Sequence, residues 1–304
     1  MLKQISLLIL CAAAIVCFAT PVQACTSAVV SGKVTPDGRP LLWKNRDTDF
    51  MQNHIDYVKG EKYNFIAVVN SANAYLKEAW MGTNSSGFAL MNTQSYNLVD
   101  VKGDEERGAA NGRVIYRALE VCATVEDFCH FLDTISKPSD IEANFGVIDA
   151  QGGAAMFEVD YYKYVMYDAN NPKDAPYGYI ARTNFSFAGK VNEGAGYVRY
   201  MEADQVLMKA SATGSITPQF IFNDLSRSFR NRMLDIDLRS GAYNRPQASG
   251  WFVDQDFIPR SSTSCSVVVQ GVKPGEKAEL TTMWTLLGYP PTGIAVPCLL
   301  YTSP

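Results

Sequence analysis

Val22-Gln23-Ala24-Cys25-Thr26-Ser27-Ala28-Val29-Val30-Ser31 decides how this 304-residue chain is read, because an export signal ends and a β-strand begins within it. On the N-terminal side, Lys3 supplies a positive start, residues 5–20 are apolar, and small residues stand at Val22 and Ala24. That is the pattern of a secretory signal cut after Ala24. Pro21 interrupts the apolar run, which falls short of the roughly 20 residues a membrane-spanning helix needs. Residues 1–24 are therefore read as a signal peptide. The mature chain then starts at Cys25, with a free α-amine beside its own thiol.

On the C-terminal side, the β-rich run from Thr26 ends at Gly32, Pro36-Asp37-Gly38 signals a turn, and Pro40-Leu41-Leu42-Trp43 returns as a second strand. Such a hairpin builds the mature terminus into a sheet. A tethered lipoprotein is instead expected to follow its cysteine with a polar, flexible linker. The second strand delivers a dense polar cluster, Lys44-Asn45-Arg46-Asp47-Thr48-Asp49.

Further strands are expected at 65–69 and, as a pair around the turn 82–87, at 78–81 and 88–93. Between 112 and 135 the period changes: Val114, Ile115, Ala118, Leu119 and Cys122 recur at helical spacing. Thr124 and Asp127 mark the start of a second helix. Strands are expected at 144–149, 154–160, 161–167 and 179–184, then helices at 197–210 and 217–229, the latter opened by Thr217-Pro218. Strands at 264–270 and 279–287 follow. Strand-rich blocks around paired helices, without a regular strand-helix-strand repeat, predict an α+β fold of antiparallel sheets. One domain, 25–304, is expected.

The formal charge of −4 is scattered, and no stretch clusters Lys and Arg as phosphate binding requires. No nucleic-acid partner is expected. No later segment is apolar for long enough to span a bilayer, so the mature chain is expected to be soluble, without membrane insertion. Of seven cysteines, Cys11 and Cys17 leave with the signal, and an odd number remains. If they share a helix, Cys122 and Cys129 lie roughly 10 Å apart along its axis, beyond disulfide reach. With Cys265 and Cys298 they are read as small buried apolar residues.

A thiol nucleophile needs a base, usually histidine, and only His54 and His130 are available. A histidine dyad and a metal site are both poorly supplied, and neither metal nor cofactor is expected. An N-terminal cysteine removes the need, since an α-amine titrates near pH 8 and can take the thiol proton itself. Arg46, Asp47 and Asp49 supply charges that favour the thiolate and orient the amine.

At these residues the chain resembles the N-terminal-nucleophile (Ntn) hydrolases of the choloylglycine hydrolase and penicillin acyltransferase type. Cys25-Thr26 is similar to the family's opening Cys-Thr, and Arg46-Asp47-Thr48-Asp49 to its Arg-x-x-Asp at the end of the second strand. The segment 84–92, Asn-Ser-Ser-Gly-Phe-Ala-Leu-Met-Asn, resembles the Asn-x-x-Gly strand that ends in an oxyanion-hole asparagine, here Asn92. Arg182-Thr183-Asn184-Phe185 resembles the Thr-Asn motif whose asparagine also faces that hole, and Tyr197-Val198-Arg199-Tyr200 the segment with the second active-site arginine. Asp47 stands where bile-salt enzymes have Asn, so two carboxylates are available; Asp49 is taken as the one that orients the amine. The family's acyltransferases release their cysteine from an internal propeptide, whereas here signal cleavage would expose it.

The resemblance implies a four-layer αββα sandwich and catalytic residues Cys25, Arg46, Asp49, Asn92, Asn184 and Arg199. It implies a hydrolase of linear amides, acting on a small-molecule amide, and the signal makes that enzyme exported, periplasmic or extracellular. Bile-salt amides, N-acyl amino acids, penicillin-like and dipeptide-like amides all remain open, as does homo-oligomer formation. An acyltransferase using the same thioester is the rival enzyme. A ligand-binding lipoprotein with Cys25 lipidated is the rival of another class, because Val22 to Cys25 loosely resembles a lipobox. Six tyrosines between Tyr161 and Tyr179 have two readings, an acyl pocket and strand packing.

Overall fold

Strand β1, Cys25–Val30, alternates its side chains between two cores, and both neighbours of the strand are occupied. The computed structural model describes residues 24–99, 108–241, 254 and 256–302. The signal assigned to residues 1–24 lies outside them, except for Ala24. β1 pairs antiparallel with β2 (Leu41–Asp47) and with β10 (Tyr179–Arg182). With β13 (Thr263–Gln270), β14 (Thr282–Leu287) and β15 (Val296–Cys298) they form a six-stranded sheet, ordered β10-β1-β2-β13-β14-β15.

The second sheet has seven strands in sequence order: β3 (Asn53–Val58), β4 (Phe65–Asn70), β5 (Met81–Asn84), β6 (Ala89–Gln94), β7 (Ala143–Ile148), β8 (Ala154–Val159) and β9 (Tyr164–Asp168). The strand period of two sorts residues into layers. Val29 and Leu42 meet Ile66, Val68, Met91 and Met156 between the sheets. Ala28, Val30, Leu41 and Trp43 face outward onto helix α3 (Tyr197–Ala212) and the turn α4 (Pro218–Phe220), which widens into a π-helical turn at Ile221–Leu225. On the far side, α1 (Asn111–Val121) and α2 (Val125–Thr134) cover the seven-stranded sheet; the Phe128 ring meets Phe145 and Phe157 at centroid distances of 5.8 and 5.0 Å. Helix, sheet, sheet, helix is the αββα order. At its centre Gly146 lets the sheets close, since a Cβ there would run into Met91, Leu42 and Val29.

Local chemistry accounts for most boundaries. Thr124 and Asp127 form a reciprocal capping box on α2, and Thr217 caps the Pro218 turn through the Phe220 N–H. Four expectations need correction. Strand β3 was not expected: His54 and Asp56 alternate with Ile55 and Tyr57 on a half-buried sheet edge, where the apolar signal is weak. β5 starts at Met81 and takes in residues 82–84, because Asn84 turns its side chain back onto the N–H groups of Ser86 and Phe88 and places the turn after itself. Helix at 217–229 stops at Leu225, and a short hairpin of β11 (Arg230–Asn231) and β12 (Ile236–Asp237) follows. Cys122 and Cys265 are buried, but Cys129 and Cys298 are only half-buried; all four and Cys25 are free thiols.

The tyrosines divide among different surroundings. Tyr162 and Tyr177 are exposed, Tyr164 packs beside the α1–α2 core, and buried Tyr179 donates its hydroxyl to Asp204.

Candidate active site

Cys25 opens β1 opposite Arg46, so its side chain shares the inter-sheet face with Ser27 and Val29. On β2 the same alternation turns Lys44 and Arg46 toward that face and Asn45 and Asp47 away from it. Cys265 of β13 flanks Arg46 on the other side. The two thiols are thus two strands apart, ~10 Å, with the arginine between them and no disulfide geometry available.

Asn184, just beyond β10, is fully buried and ties the site together. Its Oδ1 accepts from the Cys25 backbone nitrogen at 3.0 Å and from Arg199 Nη2 at 2.8 Å, while its Nδ2 donates to the Gln94 carbonyl at 2.8 Å. Arg199 enters from the first turn of α3 and donates through Nη1 to the Cys25 carbonyl at 2.7 Å and to Thr26 Oγ1 at 2.8 Å. Gly196, with φ +86°, leaves the room this requires, because a Cβ there would collide with the guanidinium. Burial pushes the Arg199 pKa down to about 10, with neighbouring Arg260 acting in the same direction and Asp47 and Cys25 opposing it.

Arg46 is held by two neutral carboxamides, Asn53 and Asn70, the latter at 2.8 Å from Nη2, and lies over the Trp80 ring at 4.7 Å. Burial lowers its pKa, opposed by the charges of Cys265, Cys25 and Glu78. Lys44 Nζ donates to Asn92 Oδ1 at 2.9 Å and to the Trp80 carbonyl at 3.0 Å. Asn92 sits just past the end of the β5–β6 ladder, whose last pair is Met81 with Met91.

The two carboxylates of the cluster stand in different surroundings. Asp49 lies on the exposed connection after β2, whereas Asp47 is fully buried on the outward face of β2. Asp47 accepts from Arg260 Nε at 2.9 Å and from Thr263 Oγ1 at 2.6 Å. Burial raises its pKa against the pull of Arg260 and Arg199. It therefore stands behind the site, anchoring β2 to the loop before β13. Asp47→Ala takes the carboxylate from this buried pair and is expected to lower unfolding free energy by about 3 kcal/mol, measured by denaturant titration.

Two residues near the thiol were not singled out from the sequence. Tyr96 follows β6, and its hydroxyl is pushed up by burial and then by the charge of Cys25. Lys44 was quoted only as part of a polar cluster; the strand period that puts Arg46 beside Cys25 also puts Lys44 on that face.

This layered architecture, with a cysteine heading a central strand, is the Ntn-hydrolase fold. A mutant of the conjugated bile acid hydrolase from Clostridium perfringens superposes at a TM-score of 0.51 with 14% identity, covering 92% of this chain and 93% of that one. Penicillin V acylase from Agrobacterium tumefaciens gives 0.48 with 15% identity over 91% and 86%, and the Caenorhabditis elegans ortholog of N-acylethanolamine-hydrolyzing acid amidase gives 0.44 with 15% identity over 66% and 88%. No curated protein matches by sequence. The model of the acyl-coenzyme A:6-aminopenicillanic acid acyl-transferase family matches residues 34–211, more than half of the chain, and the chain belongs to that family.

Proposed function

We propose that the protein is an exported cysteine Ntn hydrolase that cleaves a linear amide other than an ordinary peptide bond, through a thioester on Cys25. The observation that carries this reading is the Cys25 backbone: its nitrogen is held by Asn184 Oδ1 and its carbonyl by Arg199, at the head of a strand flanked on both sides. Once residues 1–24 are removed, that nitrogen is an amine fixed next to the sulfur it serves.

The amine takes the thiol proton and Sγ attacks the substrate carbonyl. The oxyanion falls to the Asn92 backbone N–H and the Asn184 carboxamide. The protonated amine then delivers its proton to the leaving nitrogen, and the C–N bond breaks. Water, activated by the same amine, releases the acid. Arg46 stands directly opposite Cys25 across the β1–β2 ladder, next to the reacting sulfur.

The family description favours one second reading, in which an amine rather than water resolves the thioester. Incubating purified mature protein with a panel of N-acyl compounds, with free-amine detection, tests the hydrolase. Supplying amine acceptors and finding new amide in place of free acid would move the assignment to an acyltransferase. Intact-mass measurement of the exported protein should give an unmodified N-terminal Cys25. A lipidated Cys25, with both amine and sulfur blocked, would end the enzymatic reading in either form.

A further inference from the structure

Lys44 is fully enclosed, on a strand in the middle of a sheet, and both of its hydrogen bonds go to neutral oxygens, Trp80 O and Asn92 Oδ1. An ammonium withdrawn from water at the cost of its hydration needs a counter-charge. The groups around it are few. It lies opposite Ser27 and Val267, diagonal to Cys25 on β1 and to Cys265 on β13, with Arg46 and Asp47 on its own strand and Glu78 on the loop before β5; that loop and strand β6 offer the Trp80 carbonyl and the Asn92 carboxamide. Asp47 is turned to the opposite face and pairs with Arg260. Cys265 is pushed up by its own burial and stays a thiol near neutral pH. Of the charges that act on Lys44, the largest is that of the Cys25 sulfur, diagonal to it on the same face of the β1–β2 ladder.

We propose that Lys44 is a positioning residue of this site, whose ammonium fixes the Asn92 carboxamide and stands as counter-charge to the Cys25 sulfur. This rests on the reading of Cys25 as nucleophile. The consequence is a site served by two amines with opposite requirements. The α-amine must be unprotonated to accept a proton, while the Lys44 amine must be protonated to do its work. Burial pushes the Lys44 pKa down to about 8. Being lowered, the ammonium is present below that pH and is lost as pH rises through it. Activity should therefore fall on an alkaline limb near pH 8 that overlaps the acid limb set by the α-amine, giving a narrow bell-shaped profile.

The test uses the mature protein and two variants, Lys44→Met and Lys44→Arg, with folding checked by circular dichroism. The first readout needs no substrate: iodoacetamide alkylation of the N-terminal peptide near neutral pH, followed by mass spectrometry. Lys44→Met should slow alkylation of Cys25 about tenfold, the size of effect one neighbouring charge has on a thiolate. Lys44→Arg, which keeps the charge, should stay near the original rate. The second readout is the pH profile of kcat/KM: the alkaline limb should vanish in Lys44→Met and move to higher pH in Lys44→Arg. Unchanged alkylation in folded Lys44→Met, or an alkaline limb that stays in place in both variants, would overturn the proposal. If Lys44→Met does not fold, the shift of the limb in Lys44→Arg decides. A protein that alkylates as expected but hydrolyses no amide would count against the hydrolase and not against Lys44.

Discussion

Cys25→Ala should yield a folded protein with no measurable amide hydrolysis. The side chain is small and 7% exposed at the head of β1, and the six-residue ladder to β2 and the pairing to β10 are made by backbone atoms that the substitution leaves alone. The expected loss of stability is about 1 kcal/mol. The loss of rate is far larger, on the order of a million-fold, because the amine that remains has no sulfur to deprotonate and no thioester can form. Cys25→Ser keeps the geometry but asks the same amine to take a proton from a much weaker acid, so most turnover should go. The measurements are single-substrate kinetics alongside thermal unfolding. Full activity in the alanine variant would remove the thioester mechanism altogether.

Asn184→Ala carries the second-largest expected effect, because one side chain serves three elements. It removes the acceptor for the Cys25 nitrogen and for Arg199 Nη2, and the donor to Gln94 O at the end of β6. Loss of the proposed oxyanion donor alone costs on the order of a hundred- to a thousand-fold in kcat. Buried groups left without their partner add about 1–3 kcal/mol of destabilisation. Asn184→Asp separates the two effects, since it retains an acceptor for Cys25 and Arg199 and loses the donor. If the aspartate variant kept kcat while the alanine variant lost it, holding the amine would be the function of this side chain and the oxyanion role would fall away. Near-original kcat in both variants would remove Asn184 from the site.

The sequence was most readable where a residue's place follows from strand period or from a cap. Cys25 and Arg46 could be set side by side because a hairpin starting at Cys25 runs into Arg46, and the structure brings them together as register partners. Asn184 and Arg199 came from resemblance alone, and both reach Cys25 although 159 and 174 residues separate them from it. Nothing local to either residue predicts that convergence; it depends on β10 closing against β1 and on α3 starting over that edge. The two carboxylates show the same dependence on distant segments. Asp47 and Asp49 are the same residue type two positions apart, and it is Arg260 and Thr263, more than 200 residues on, that hold the first one buried behind the site while the second stays exposed. Strand β3 was missed because an edge strand presents one face to solvent and carries half the apolar signal of a buried one.

Ala24 is almost wholly enclosed, at 1% exposure, immediately ahead of Cys25. Because β1 is gripped by β2 and β10 together, the strand cannot slide to push that residue out; a slip of one position would exchange its two faces. If the proposed cut after Ala24 is made, it comes before folding, because a leader peptidase would find no extended bond to grasp once the sheet has closed. The same grip dictates how the protein must be made for assay. An initiator methionine left in front of Cys25 would settle where Ala24 now lies, acylate the amine and occupy the space beside the sulfur, giving a well-folded preparation that is silent for a reason no spectroscopic check of folding would reveal.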